Sequence, residues 1–90
     1  MPTLHMVRRW TLRRKVQRMQ KLVNQRMVVE RQIRATQQEN DEIVCQCMRL
    51  DPASSDIIEL LLGKARNEKV IIDLRQEACV LATKLERIQL

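Results

Sequence analysis

Aromatic side chains are nearly missing from this chain. Its 90 residues include no Phe, no Tyr and one Trp, and only one Gly and two Pro. A β-sandwich or barrel draws on Gly or Pro turns every ~8–12 residues, and so few such residues cannot supply them. Without aromatics a compact globular core would rest almost entirely on aliphatic packing, whereas long helices make no such demand. No run of ~18 apolar residues is present, so no segment suits a membrane-spanning helix. A single Gly leaves no phosphate-cradling loop. The one histidine, His5, has no nucleophile and orienting acid arranged around it, and Asp56 with Glu59 reads as favourable charge at a helix start. A non-enzyme is expected, with no cofactor and no metal.

The three cysteines, Cys45, Cys47 and Cys79, are an odd number, which suits a reducing compartment. Two residues apart on a helix, Cys45 and Cys47 point about 200° from one another and do not chelate one ion; they read as small packing residues.

What is present is the palette of helices and coiled coils: Ala, Glu, Lys, Leu, Arg, Gln, Met, Ile and Val. At 44% hydrophobic the chain is too apolar to be disordered on composition alone. Its length allows one small unit. Asp51-Pro52-Ala53-Ser54-Ser55-Asp56 is the one strong interruption. Pro52 suits the first turn of a new helix, with Asp51 as its N-cap or Ser54 or Ser55 in that role. The expected fold is all-α: two long helices, about 6–50 and 53–90, in a helical hairpin or coiled coil hinged at a turn over about 51–55.

In the second helix Ile71, Leu74, Ala78, Leu81, Leu85 and Ile88 step by three and four, forming a heptad packing seam. Extended backwards, the frame meets Ile57, Leu60, Lys64 and Asn67, so two polar residues fall on the seam, as register markers or as a stutter. A second stripe, Ile58, Leu61, Leu62, Ala65, Ile72, Cys79 and Ala82, makes this helix too broadly apolar for one partner. The first helix is weaker. Leu12, Val16, Met19 and Val23 set one frame, and Val29, Ile33, Thr36, Asn40, Ile43, Cys47 and Leu50 set another, which implies a stutter near Arg26–Val29. Within this second frame, Arg34 to Glu42 is polar nearly all round, reading as a solvent-bridging or flexible stretch. An antiparallel hairpin would return to about residue 12, leaving the first ten or so residues, Trp10 included, at or beyond its end.

The net charge of +6 is divided unevenly. Residues 1–38 hold ten Lys/Arg and one acid, Glu30, whereas residues 39–90 hold seven Lys/Arg and ten Asp/Glu. The basic half either offsets the acidic half or meets an acidic partner; Arg13, Arg14, Arg18 and Lys21 are the expected face for such a partner. Val16-Gln17, followed by Lys21 and Arg26, has the spacing of an IQ motif. The segment VQRMQKLVNQR resembles a relaxed calmodulin or light-chain binding element, with Leu22 where that motif carries Gly. Trp10 and Val23, thirteen residues apart among basic residues, are similar to the anchors of calcium-calmodulin targets. The resemblance implies Trp10, Val16, Gln17, Lys21, Val23 and Arg26 as contact residues for an acidic, Met-lined groove.

Phosphate-backbone binding to nucleic acid, including a ribosome-associated role, is a further reading of the same charge. Only Trp10 offers a stacking platform, so no sequence readout is expected. A membrane surface fits less well, since the apolar face of residues 6–29 is modest. The leading expectation is a small structural or adaptor subunit acting through coiled-coil contacts. Its partners would be proteins with acidic and apolar helical surfaces, in a homo-oligomer or a larger complex, with microtubule or axonemal assemblies as the specific version. The expected setting is cytoplasmic, and cytoskeletal in the microtubule version. The Arg-rich, acid-poor start has presequence chemistry without the Ser enrichment, so a mitochondrial setting stays open, as does a nuclear one.

Overall fold

A computed structural model describes residues 4–88, with side chains from Met6 onward. Two α-helices, α1 (Leu4–Arg49) and α2 (Asp56–Glu86), pack as an antiparallel hairpin, and the described residues contain no strand. The molecule is a rod of 77 × 16 × 15 Å. At ~1.5 Å per residue α1 is ~69 Å long and α2 ~47 Å, so α2 cannot cover α1 from end to end.

α1 runs for 46 residues because nothing in Leu4–Arg49 breaks it: the segment has no Gly and no Pro, and Arg49 lies favourably in its last turn. It stops because Pro52 disfavours helical backbone at the preceding residue. The turn is closed by the Ser54 N–H, which donates to the Asp51 carbonyl at 2.8 Å. The Ala53 N–H donates to Asp51 Oδ1 at 3.0 Å. Asp51 therefore organises a β-turn with Pro52 at its second position, where the fixed φ of proline is favoured. This corrects the expected start of the second helix at 53 with Asp51 as its cap. α2 begins at Asp56, with Ser55 as N-cap in helical backbone conformation and no side-chain cap bond. The Ser54 hydroxyl accepts from the Asp56 N–H at 3.3 Å instead.

The seam of α2 places Ile71 and Leu81 in the core and leaves Leu74, Ala78, Leu85 and Ile88 half-buried. Opposite them, Leu22 and Val29 are buried, and Ile33 packs at the edge of the same cluster. In α1 the residues turned to α2 are Met19, Leu22, Val29, Ile33, Thr36, Asn40, Ile43 and Cys47, and Leu50 just beyond its end continues them. These fall on one unbroken three-four frame in which Arg26 occupies the only exposed step. No stutter is present at Arg26–Val29. Neighbouring apolar residues Leu22 and Val23 offered two frames, and the end of α2 selects Leu22. Arg26 leaves the interface and bonds Glu30 at 3.1 Å, an exposed pair of small energetic weight. The polar stretch 34–42 is continuous helix with half-buried Thr36 and Gln37 and buried Asn40. Thr36 satisfies its own hydroxyl on the Gln32 carbonyl at 2.8 Å.

Asn40 is only 8% exposed, in the middle of the interface. Asn67 Nδ2 donates to Asn40 Oδ1 at 2.9 Å, and Asn40 Nδ2 donates to the Lys64 carbonyl at 3.5 Å. Lys64, the other polar residue on the seam of α2, turns its ammonium out to Glu68 at 3.0 Å. One residue away, Gly63 lies against Ile43: a Cβ there would meet Ile43 Cδ1 at 3.9 Å, an ordinary contact, and its φ is not positive. Gly63→Ala therefore removes helix-interior backbone freedom without a clash. It should stabilise the hairpin by ~0.5–1 kcal/mol, read as a higher thermal midpoint by far-UV circular dichroism.

Candidate interaction surfaces

Among the described side chains of α1, burial begins at Met19. Every described side chain from Met6 to Arg18 is exposed. The hairpin thus closes about seven residues short of the expected position near residue 12. The turn takes up residues 50–55, and α2 ends at Glu86 with one further turn-like bond from the Ile88 N–H to Leu85. What remains is an overhang of about four helical turns, ~22 Å, projecting past the end of α2. It carries Arg8, Arg9, Arg13, Arg14, Lys15 and Arg18, with no acid.

With ~100° per residue, these cations surround the helix rather than lining one side. Arg14, Arg18 and Lys21 form one stripe at i, i+4 and i+7. Arg13 does not join it; it stands with Arg9 on another face. The four residues of the expected acidic-partner face are all exposed, but only three are neighbours. The apolar residues Met6, Trp10, Leu12 and Val16 share one shallow groove, with Arg9 and Arg13 set among them. The Arg14 guanidinium lies over the Trp10 ring at 4.6 Å from its centroid, a cation–π contact that covers one ring face. Trp10 is still 59% exposed.

The residues of the IQ-like segment divide between two environments. Val16, Gln17 and Lys21 are exposed, Val23 is partly so, and Arg26 is bonded to Glu30. Between them, Met19 is half-buried and Leu22 is packed with Leu81 in a cluster that includes Leu85 and Ile88. A partner that encircled Trp10 through Val23 would have to displace the end of α2. Only the portion before Met19 is open on all sides.

A second surface lies on α2 away from the hairpin interface. Ile58, Leu61, Leu62 and Ile72 are 50–64% exposed, and Ala65 and Cys79 are exposed beside them. Near the turn, Val44 and Met48 of α1 meet Leu61 around a shallow apolar groove that also touches Pro52 and Ile57. Met48 is the most exposed large apolar side chain described, at 81%. The second-stripe residues were legible as apolar; Val44 and Met48 were not singled out, although their four-residue spacing just before the turn was available as a signal. Among the described residues no three of His, Cys, Asp and Glu gather as a metal-binding group, and all three cysteines are free. Comparison with protein-family models, with curated proteins and with solved structures finds no match.

Proposed function

We propose that this chain is a non-enzymatic adaptor subunit. Its hairpin serves as a rigid helical mount, and its projecting cationic helix docks on an acidic protein surface. The observation that supports this most is the overhang itself: helical backbone from Leu4 onward, six cations and no acid before Met19, and exposed side chains from Met6 to Arg18. Like-charge repulsion within such a stretch opposes helix formation at low salt, and an acidic partner relieves it. Arginine outnumbers lysine five to one there, which favours bidentate contacts with carboxylates. The spread of cations around the helix disfavours a lipid surface, which requires one apolar and one basic side. The acidic surface of a microtubule lattice meets the chemical description, and the ~77 Å rod is long enough to bridge from it to a second component.

Co-sedimentation with stabilised microtubules at low salt tests this. The wild-type chain should pellet, and raising the salt should release it. Reversing Arg13, Arg14, Arg18 and Lys21 to Glu should weaken binding by about 10–100-fold, since each exposed ion pair contributes up to ~1 kcal/mol and reversal adds repulsion. The hairpin's melting should change little, because none of the four is buried. A wild-type chain that stays in the supernatant would remove microtubules as the partner. Affinity capture from cells, with calmodulin and ribosomal proteins scored beside tubulin, then identifies which acidic surface is used.

A further inference from the structure

We infer that the outer face of α2 is a self-association surface on which a second copy of this chain docks antiparallel, forming a four-helix bundle with the two overhangs at opposite ends. This inference is independent of which acidic surface the overhang meets.

The face is regular. Ile58, Ala65, Ile72 and Cys79 recur every seven residues, with Leu61 and Leu62 filling the step after Ile58. The repeat fills one position of each heptad; its three-four step is apolar at Leu61 and Leu62 and polar at Glu68, Lys69, Arg75 and Gln76, so the contact is an apolar stripe edged by charge. It lies away from the seam of Ile71 and Leu81 on the same helix, and its side chains stay exposed in the closed hairpin. The chain exposes 7729 Å². A folded monomer of this mass exposes ~5,500 Å², so the surplus is about 2,200 Å². The rod shape and the bare overhang account for part of that surplus; a standard interface needs ~800 Å² from each partner. The stretch from Ile58 to Cys79 is ~32 Å long, enough for such an area on one helix face.

Charge argues for a copy of the same chain. The charged residues on the face of the stripe are one acid, Glu68, and two bases, Lys69 and Arg75. Laid antiparallel about the centre of the stripe, Glu68 of each copy stands opposite Lys69 of the other, so the face complements itself. Charge also selects the direction. Parallel pairing would gather both overhangs of six cations at one end of the dimer. Antiparallel pairing separates them by most of the 77 Å rod, far beyond the ~10 Å screening length at 0.1 M salt. Side-chain size points the same way. Laid on itself antiparallel, the stripe sets Ile58 near Cys79 of the second copy and Ala65 near Ile72, so large faces small. In parallel register Ile72 would face Ile72 and Ala65 would face Ala65. Alternation of large and small side chains is what lets helix layers interdigitate.

Sedimentation equilibrium should give about twice the 10.7 kDa chain mass at micromolar concentration. Ile72→Glu should return it to monomer, raising the dissociation constant at least ~100-fold by placing a charge in the apolar centre. Far-UV circular dichroism checks that the hairpin survives; if it does not, Ile72→Gln carries the same test at lower cost to folding. Orientation is read by oxidative cross-linking of the full chain with Cys45→Ala and Cys47→Ala. Adding Ile58→Cys should yield a dimer joined to Cys79, whereas Cys79 alone should yield none. A monomer at every concentration, a folded Ile72→Glu chain that keeps the doubled mass, or a Cys79–Cys79 dimer would each overturn the inference. Failure here leaves microtubule co-sedimentation by the overhang unaffected, so the two proposals fail separately.

Discussion

Leu81→Asp should open the hairpin. Leu81 is 6% exposed and packs in one cluster with Leu22 and Val29, both buried. Shortening a buried Leu costs ~2–5 kcal/mol even without introducing charge. A carboxylate at this position adds a desolvation penalty of further kcal/mol, because the residues packed around it are apolar. The supply is small: no side chain described falls below 2% exposure, and a two-helix unit of this size seldom holds more than ~3–5 kcal/mol. The variant should therefore lose its cooperative melt at 25 °C, retaining the residual helicity of a long α1 in isolation. Leu81→Met, which nearly conserves volume, should cost less than ~1.5 kcal/mol and keep the cooperative transition. Combined with Leu85→Asp, the substitution should also abolish assembly with partners, because the surface they read is no longer held together. A Leu81→Asp chain that melts like wild type would show that α1 and α2 do not depend on this contact.

Asn40 and Asn67 should behave oppositely when changed singly and together. Asn67→Leu removes the donor to Asn40 Oδ1 and leaves a polar carbonyl in a position only 8% exposed. An orphaned buried group costs ~1–3 kcal/mol, which for a chain of this length lowers the thermal midpoint by roughly 5–20 °C. Asn40→Leu with Asn67→Leu replaces the pair by apolar contact, and the midpoint should recover to wild type or above. What the double variant loses is registration. In an interface otherwise built mainly from Ile, Leu, Val and Ala, a slide by one heptad keeps most contacts apolar, and the asparagine pair penalises it. Amide NMR spectra report this directly: one set of peaks for wild type and additional sets for the double variant. A double variant that is both more stable and a single species would show that the turn alone sets the register.

The two helices were legible because their signals are local. The absence of Gly and Pro over Leu4–Arg49, the three-four spacing from Ile71 to Ile88, and Pro52 between them require no knowledge of the partner helix. Element boundaries near the turn were less legible. Asp51 and Ser54 can each cap a helix or organise a turn, and the backbone geometry around Pro52 decided for the turn. The frame of α1 was ambiguous for a different reason. Leu22 and Val23 are adjacent and equally apolar, and Arg26 interrupts the correct stripe, so periodicity alone favoured a break that the packed structure does not contain.

Sequence alone thus determined that the chain is helical, that it turns once, that α2 carries more apolar surface than one neighbour can cover, and that the positive charge gathers before residue 38. Each follows from composition or short-range spacing. Tertiary structure decided where the helices meet. The pairing of Asn40 with Asn67, the choice of Leu22 over Val23, and the point at which α2 ends relative to α1 depend on residues far apart in the chain. That register converts a diffuse basic half into a bare cationic helix of about four turns. It does so because α2 is shorter than α1 and the hydrogen bond from half-buried Asn67 to buried Asn40 ties the two helices in that register.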